Sequence, residues 1–181
     1  MEDLGPEEAR RGLRQWFSSN DYLGEDPYRP WGEFEYRMPL PPKLKFALFK
    51  VAIEPFASPK KTALSPAYAF LLRAGALEGD RVLARDMFGR LGDSRLKSGR
   101  MSCWGLPFPA SGNPPDSPYA INTLFAADAL LDAFSAFGER RFLSMAESAA
   151  RWVAEECMDE GKSRVKFSPT NDFYADRKSV V

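Results

Sequence analysis

The chain has 181 residues, enough for one domain with a sizeable core. Its 25 basic and 25 acidic residues balance to zero formal charge and no long basic run occurs, which argues against binding to nucleic acid or to an anionic membrane surface. Histidine is absent, so Ser-His-Asp and Cys-His chemistry and the commonest zinc ligand are excluded. Any chemistry must come from carboxylates, Lys, Arg, Tyr or main-chain groups, and no motif calls for a metal or cofactor. Cys103 and Cys157 lack metal-site spacing and read as free thiols. The acidic, mixed N-terminus does not resemble a signal peptide, and no apolar run approaches the roughly 18–20 residues of a membrane span, so a cytoplasmic protein is expected.

Residues 7–19 place Ala9, Leu13, Trp16 and Phe17 on one helical face, with Pro6 in the first turn. A turn-rich loop over 20–32 follows, carrying Asp21, Glu25 and Asp26 beside Tyr22 and Tyr28. Pro39, Pro41 and Pro42 lead into a second helix, where Leu44, Leu48 and Val51, widened by Phe46, Phe49 and Phe56, predict broad burial. A connector over 58–62 holds Lys60 and Lys61. Residues 66–77 and 81–91 then read as two helices around Glu78-Gly79-Asp80.

Residues 102–157 organise the rest of the chain. An aromatic, Pro/Gly-rich loop precedes a helix in which Ile121, Leu124, Phe125, Leu130, Leu131 and Phe134 point nearly all round, which predicts burial on most sides. A turn at Gly138 joins it to a one-faced helix bearing Phe142, Ala146, Ala149 and Val153. The pairs Leu77/Phe137, Arg81/Arg141 and Leu83/Leu143 share one offset, 143 − 83 = 60, the signature of a repeated helical hairpin. Residues 161–169 form a short strand or an extended edge. Residues 176–181 match one reading frame of a sequencing adapter (GATCGGAAGAGCGTCGTG), so a domain over 1–175 with a foreign six-residue tail is expected.

Four stretches, WFSSNDYLGEDPY, CWGLPFPASG, SPYAINTLFAADALLDAF and GERRFLSMAESAARWV, together resemble α/α-toroid proteins of bacterial exopolysaccharide biosynthesis loci, fold relatives of six-hairpin glycosidases and polysaccharide lyases. The resemblance implies an all-α fold: a partial α/α toroid of antiparallel helical hairpins with long loops, whose remaining hairpins are missing. It also implies a role in polysaccharide production, with a polysaccharide or oligosaccharide as partner. Fold alone transfers no activity.

In a toroid the loops leading into the inner helices line the mouth of the central cavity. Trp104, Phe108 and Tyr119 would then supply rings for the C–H faces of sugars, while Ser111, Asn113, Asp116 and Asn122 supply hydrogen bonds. The alternative is that Trp104 and Phe108 cap the hairpin core. Asp128 and Asp132, four apart on the most apolar helix, need a cause, either a cavity-facing acid pair or partners on a neighbouring hairpin. Glycoside hydrolysis needs two carboxylates about 5–10 Å apart, for which Asp26, Asp116 and Asp128 are the candidates. Three functions stay open: a carbohydrate-binding protein, a glycoside hydrolase or lyase, and a non-catalytic scaffold of a synthesis complex.

Overall fold

The computed structural model describes residues 6–26, 28–57, 61–159 and 164–174. Among them run α1 (Pro6–Ser19), α2 (Arg29–Arg37), α3 (Pro42–Leu48), α4 (Ser65–Glu78), α5 (Arg81–Asp93), α6 (Ala120–Phe137) and α7 (Arg140–Trp152). A π-helical turn (Phe49–Ile53) and a 3-10 turn (Glu54–Phe56) extend α3, and a second π-helical turn (Val153–Cys157) extends α7. The expected tail at 176–181 lies outside the described residues.

The chain is mostly helical, but it is not all-α. Four small antiparallel sheets join the helical parts: β1 (Gly24–Glu25) with β2 (Lys61–Thr62), β3 (Leu96–Ser98) with β4 (Met101–Cys103), β5 (Gly105–Leu106) with β6 (Ser117–Pro118), and the ribbon β7 (Met158–Asp159), β8 (Arg164–Ser168) and β9 (Asn171–Tyr174). Strands of two or three residues carry too little alternation to be read from sequence. The longest of them, β8, falls inside the extended edge expected over 161–169.

Two hairpins, α4–α5 and α6–α7, form the centre, with α4 packed on both α5 and α6 and with α6 packed on α7. Both turn on a left-handed glycine: Gly79 has φ 71° and ψ 14°, and Gly138 has φ 70° and ψ 10°. A side chain would strain either position. The turns lie 138 − 79 = 59 residues apart, one fewer than the side-chain offset of 60. At the start of α5 the Asp80 carboxylate accepts from the main-chain N–H groups of Val82 and Leu83, satisfying two of the helix's orphan donors. Glu139, at the equivalent point of α7, caps nothing with its side chain and instead faces Arg81 (3.3 Å), Arg85 (3.2 Å) and Arg141 (2.7 Å). Desolvation works against its charged form, yet hydrogen bonding from Arg85 and the charges of Arg141 and Arg85 prevail and hold its carboxyl below the usual range. The two hairpins are thus tied by charge as well as by packing.

The main core is built from Leu72, Met87, Leu91, Trp104, Leu130 and Phe142, all fully buried, with alanines letting the helices approach. A second, smaller cluster joins Cys103, Ala120, Trp152, Val153 and Cys157.

Three burial expectations are corrected. On α6, Leu124, Phe125 and Leu131 are 41%, 38% and 45% exposed, so this helix is covered on one side and not on most sides. After Pro42, Phe49 alone of the large apolar residues is buried, while Leu44, Phe46, Val51 and Phe56 face outward. Leu13 and Trp16 of α1 are exposed too; of its apolar face Phe17 is partly buried and stacks on Tyr22, while Arg14 pairs with Glu78 and Asp80 at the surface. Periodicity reports which residues share a face, but not whether a neighbour covers it. By length and composition α6 also suits a membrane span (mean hydropathy 1.3), against the expectation that no segment would. Its alanine-rich side packs in the core.

Candidate functional site

A cavity of about 800 Å³ opens between α2, the loop after β5, and β8. Cavities that hold small ligands run roughly 300–1,000 Å³, so a sugar unit or two would fit. Four rings line it: Tyr28 and Trp31 from the start of α2, Phe108 from the loop and Phe167 from β8. Polar groups come from Asp26, Glu35 and Ser111.

Each wall has a local cause. Asp26 Oδ1 accepts from the main-chain N–H of Tyr28 (2.8 Å), a turn that aims the chain into α2. Pro30 sits in the first turn of α2, where its missing N–H costs nothing. Trp31 is fixed by ring contacts to Phe34, Phe46 and Phe49 at centroid separations of 6.2, 5.9 and 5.2 Å. Gly32 lets α2 cross the loop, since a Cβ there would stand 2.1 Å from the Pro109 carbonyl oxygen.

The opposite wall is a tight hairpin. Ala110 and Asn113 exchange main-chain hydrogen bonds (3.2 and 2.9 Å), and the residues between them, Ser111 and Gly112, have φ 52° and 79°. Two successive positive φ values mark a type I′ turn. The Tyr119 hydroxyl donates to the Ala110 carbonyl (2.8 Å), and Thr170 Oγ1 donates to Asn113 Oδ1 (2.9 Å). Burial pushes the Tyr119 hydroxyl pKa up against the influence of Asn113, so the ring stays a neutral donor. Phe167 packs against Tyr119 in a tilted ring contact at 4.9 Å, which couples β8 to this wall.

The sequence-derived candidates separate in space. Phe108 and Asp26 line the cavity, and Ser111 joins them. Trp104 is fully buried: its indole N–H donates to the Leu91 carbonyl (2.8 Å), one of the orphan carbonyls at the end of α5. Its main-chain N–H donates to Thr123 Oγ1 (3.0 Å) and its carbonyl accepts from Tyr119 N (2.9 Å). Trp104 therefore holds loop, α5 and α6 together and presents no ring face to a ligand. Tyr119 and Asn122 are buried beneath the loop as well, and Tyr119 acts through the turn it supports.

The three candidate carboxylates do not meet. Asp116 lines a smaller cavity of about 240 Å³ with Asp93 and Arg95. Asp128 lies on the exposed side of α6, 2.8 Å from Arg73 Nη1, and Asp132 Oδ2 stands 2.8 Å from Arg73 Nε. One arginine on α4 answers both acids, which is the neighbouring-hairpin explanation of that pair. In place of a constellation drawn from three regions, the cavity pairs Asp26 with Glu35, a residue the sequence reading passed over along with Trp31 and Phe167. The proline at the start of α2 was the available signal; the spacing of Trp31, Phe34 and Glu35 after it is helical. No group of three His, Cys, Asp or Glu among the described residues is arranged to hold a metal ion.

The mostly helical fold thus sets an aromatic, acidic cavity beside its paired hairpins. Comparison of the chain with protein families, curated proteins and solved structures finds no match.

Proposed function

We propose that this chain is a carbohydrate-binding protein of bacterial exopolysaccharide biosynthesis or modification, its paired hairpins forming part of an α/α toroid. The observation that carries the reading is the cavity in which four aromatic rings stand beside Asp26 and Glu35. Flat apolar rings match the C–H faces of pyranoses, and carboxylates accept from their hydroxyls. The toroid reading draws support from the stacking of α4 on α6 with α5 and α7 on their outer sides, and from the apolar residues left exposed along α6.

The test is titration of the protein with neutral, amine-bearing and acidic oligosaccharides, read by intrinsic fluorescence and calorimetry. Tyr28 is 76% exposed, so Tyr28→Ala removes a ring face without opening the core and should weaken binding about fivefold or more. Binding by none of the sugars, or binding untouched by that change, refutes the reading. A second reading, a glycoside hydrolase, has one observation in its favour: two carboxylates line the same cavity. Release of shortened products, abolished by Glu35→Gln, would establish it.

A further inference from the structure

We infer that the cavity selects saccharides bearing a protonated amine, such as de-N-acetylated hexosamine units, over their N-acetylated forms, and rejects uronates. The inference rests on the carbohydrate-binding reading and names the ligand class of the same site. Its basis is the charge of the lining. Asp26 and Glu35 are the charged lining residues, and both are acidic. Among the described residues neither carboxylate has a cationic partner: Asp26 is engaged by the main-chain N–H of Tyr28, and no ion pair includes Glu35.

Two cations stand beside the cavity, and both are engaged elsewhere. Arg29 is ion-paired with Glu33 at 2.8 Å, its guanidinium 5.8 Å from the Phe108 centroid. Lys45 Nζ donates to the main-chain carbonyl of Glu35 at 2.8 Å, not to its carboxylate. These charges trim the local field, but the lining keeps two negative groups and no positive one. An ammonium also gains from the electron-rich faces of Tyr28 and Trp31, which a carboxylate is repelled by. A uronate would meet two like charges and no cation in the lining to pair with.

The discriminating experiment uses the full chain and three probes of equal length: a β-1,4-linked glucosamine tetrasaccharide, its fully N-acetylated counterpart, and a tetragalacturonate. Affinities are measured by calorimetry at a pH where the amine is protonated, at low and raised salt. The expected result is that the amine form binds about threefold to tenfold tighter than the N-acetylated form. Tetragalacturonate should not bind, and raised salt should shrink the preference. The double variant Asp26→Asn, Glu35→Gln should bind both glucosamine-type probes alike; Asn at 26 keeps the acceptor that Tyr28 N uses, and circular dichroism checks the fold. Equal affinity in the unmodified protein, or tight uronate binding, overturns the inference while leaving a carbohydrate-binding protein. A preference that survives the double variant overturns the assignment to these carboxylates. No binding of any probe overturns both this inference and the reading beneath it.

Discussion

Replacing Trp104 by Phe separates a structural role from a ligand-binding one. The indole is fully buried, and its N–H is the donor to the Leu91 carbonyl at 2.8 Å. Phenylalanine removes that donor, but the carbonyl, near the end of α5, keeps the Ser94 hydroxyl at 3.0 Å, so the change costs one hydrogen bond, about 0.5–1.5 kcal/mol. The smaller ring also vacates space among Leu72, Leu91 and Leu130, and lost contacts with incomplete collapse add about 1–2 kcal/mol. The sum is a loss of about 1.5–3.5 kcal/mol. In urea unfolding, with a slope of ~2 kcal/mol/M, the midpoint should fall by about 0.7–1.8 M. Circular dichroism and the fluorescence of the three remaining tryptophans, Trp16, Trp31 and Trp152, should report the transition together. Saccharide affinity of the folded fraction should stay within about twofold, because the ring lies behind the cavity wall and not on it. A midpoint shift under ~0.3 M, or sugar binding lost in a protein of unchanged stability, would refute the argument.

Gly32→Ala should act in the opposite sense, on the cavity more than on the core. Its Cβ would sit 2.1 Å from the Pro109 carbonyl oxygen, so α2 must shift away from the loop, and saccharide affinity should fall while the α4–α7 hairpins keep their hydrogen-exchange protection. Asp128→Asn should change stability by less than about 1 kcal/mol and leave sugar binding intact, since that carboxylate is 58% exposed and paired on the surface; a large loss of binding would return it to the site. The buried thiols set an alkaline limit. Burial first, with help from Glu156, raises Cys103 to about 11 and Cys157 to about 12 from an ordinary value of 9.0. Folded pKa values above the unfolded ones mean the contribution is intact below pH 9 and drains away as pH rises toward 11–12. Both thiols should resist alkylation at neutral pH and react only as the fold opens; rapid labelling of the native protein would contradict their burial.

Much of the helical framework was legible in the residues. Gly79 and Gly138, each followed by an acid, punctuate the two hairpins, and local chemistry sets such turns without distant partners. Met87 and Leu91 on α5 and Phe142, Ala146 and Ala149 on α7 recur at helical spacing because each outer helix has one buried side. The free thiols and the short strand near residue 165 were readable for similarly local reasons.

Exposure and proximity were not legible. Leu124 and Leu130 look alike in sequence, yet only Leu130 has a neighbouring helix across it. Asp128 and Asp132 left two causes open in sequence, and only the fold places Arg73, 55 and 59 residues earlier, beside them as the partner on a neighbouring hairpin. The same distance in sequence hid the cavity. Asp26, Glu35, Phe108 and Phe167 come from three separated segments, brought together by the Gly32–Pro109 crossing and the Tyr119–Phe167 ring contact. The sequence by itself determined the turns, the helix periods and the charge and ring types available, because these depend on neighbours within a few residues. Only the tertiary structure decided that Trp104 is a core strut and Tyr28 an open ring, because burial is a property of what else arrives at the same place.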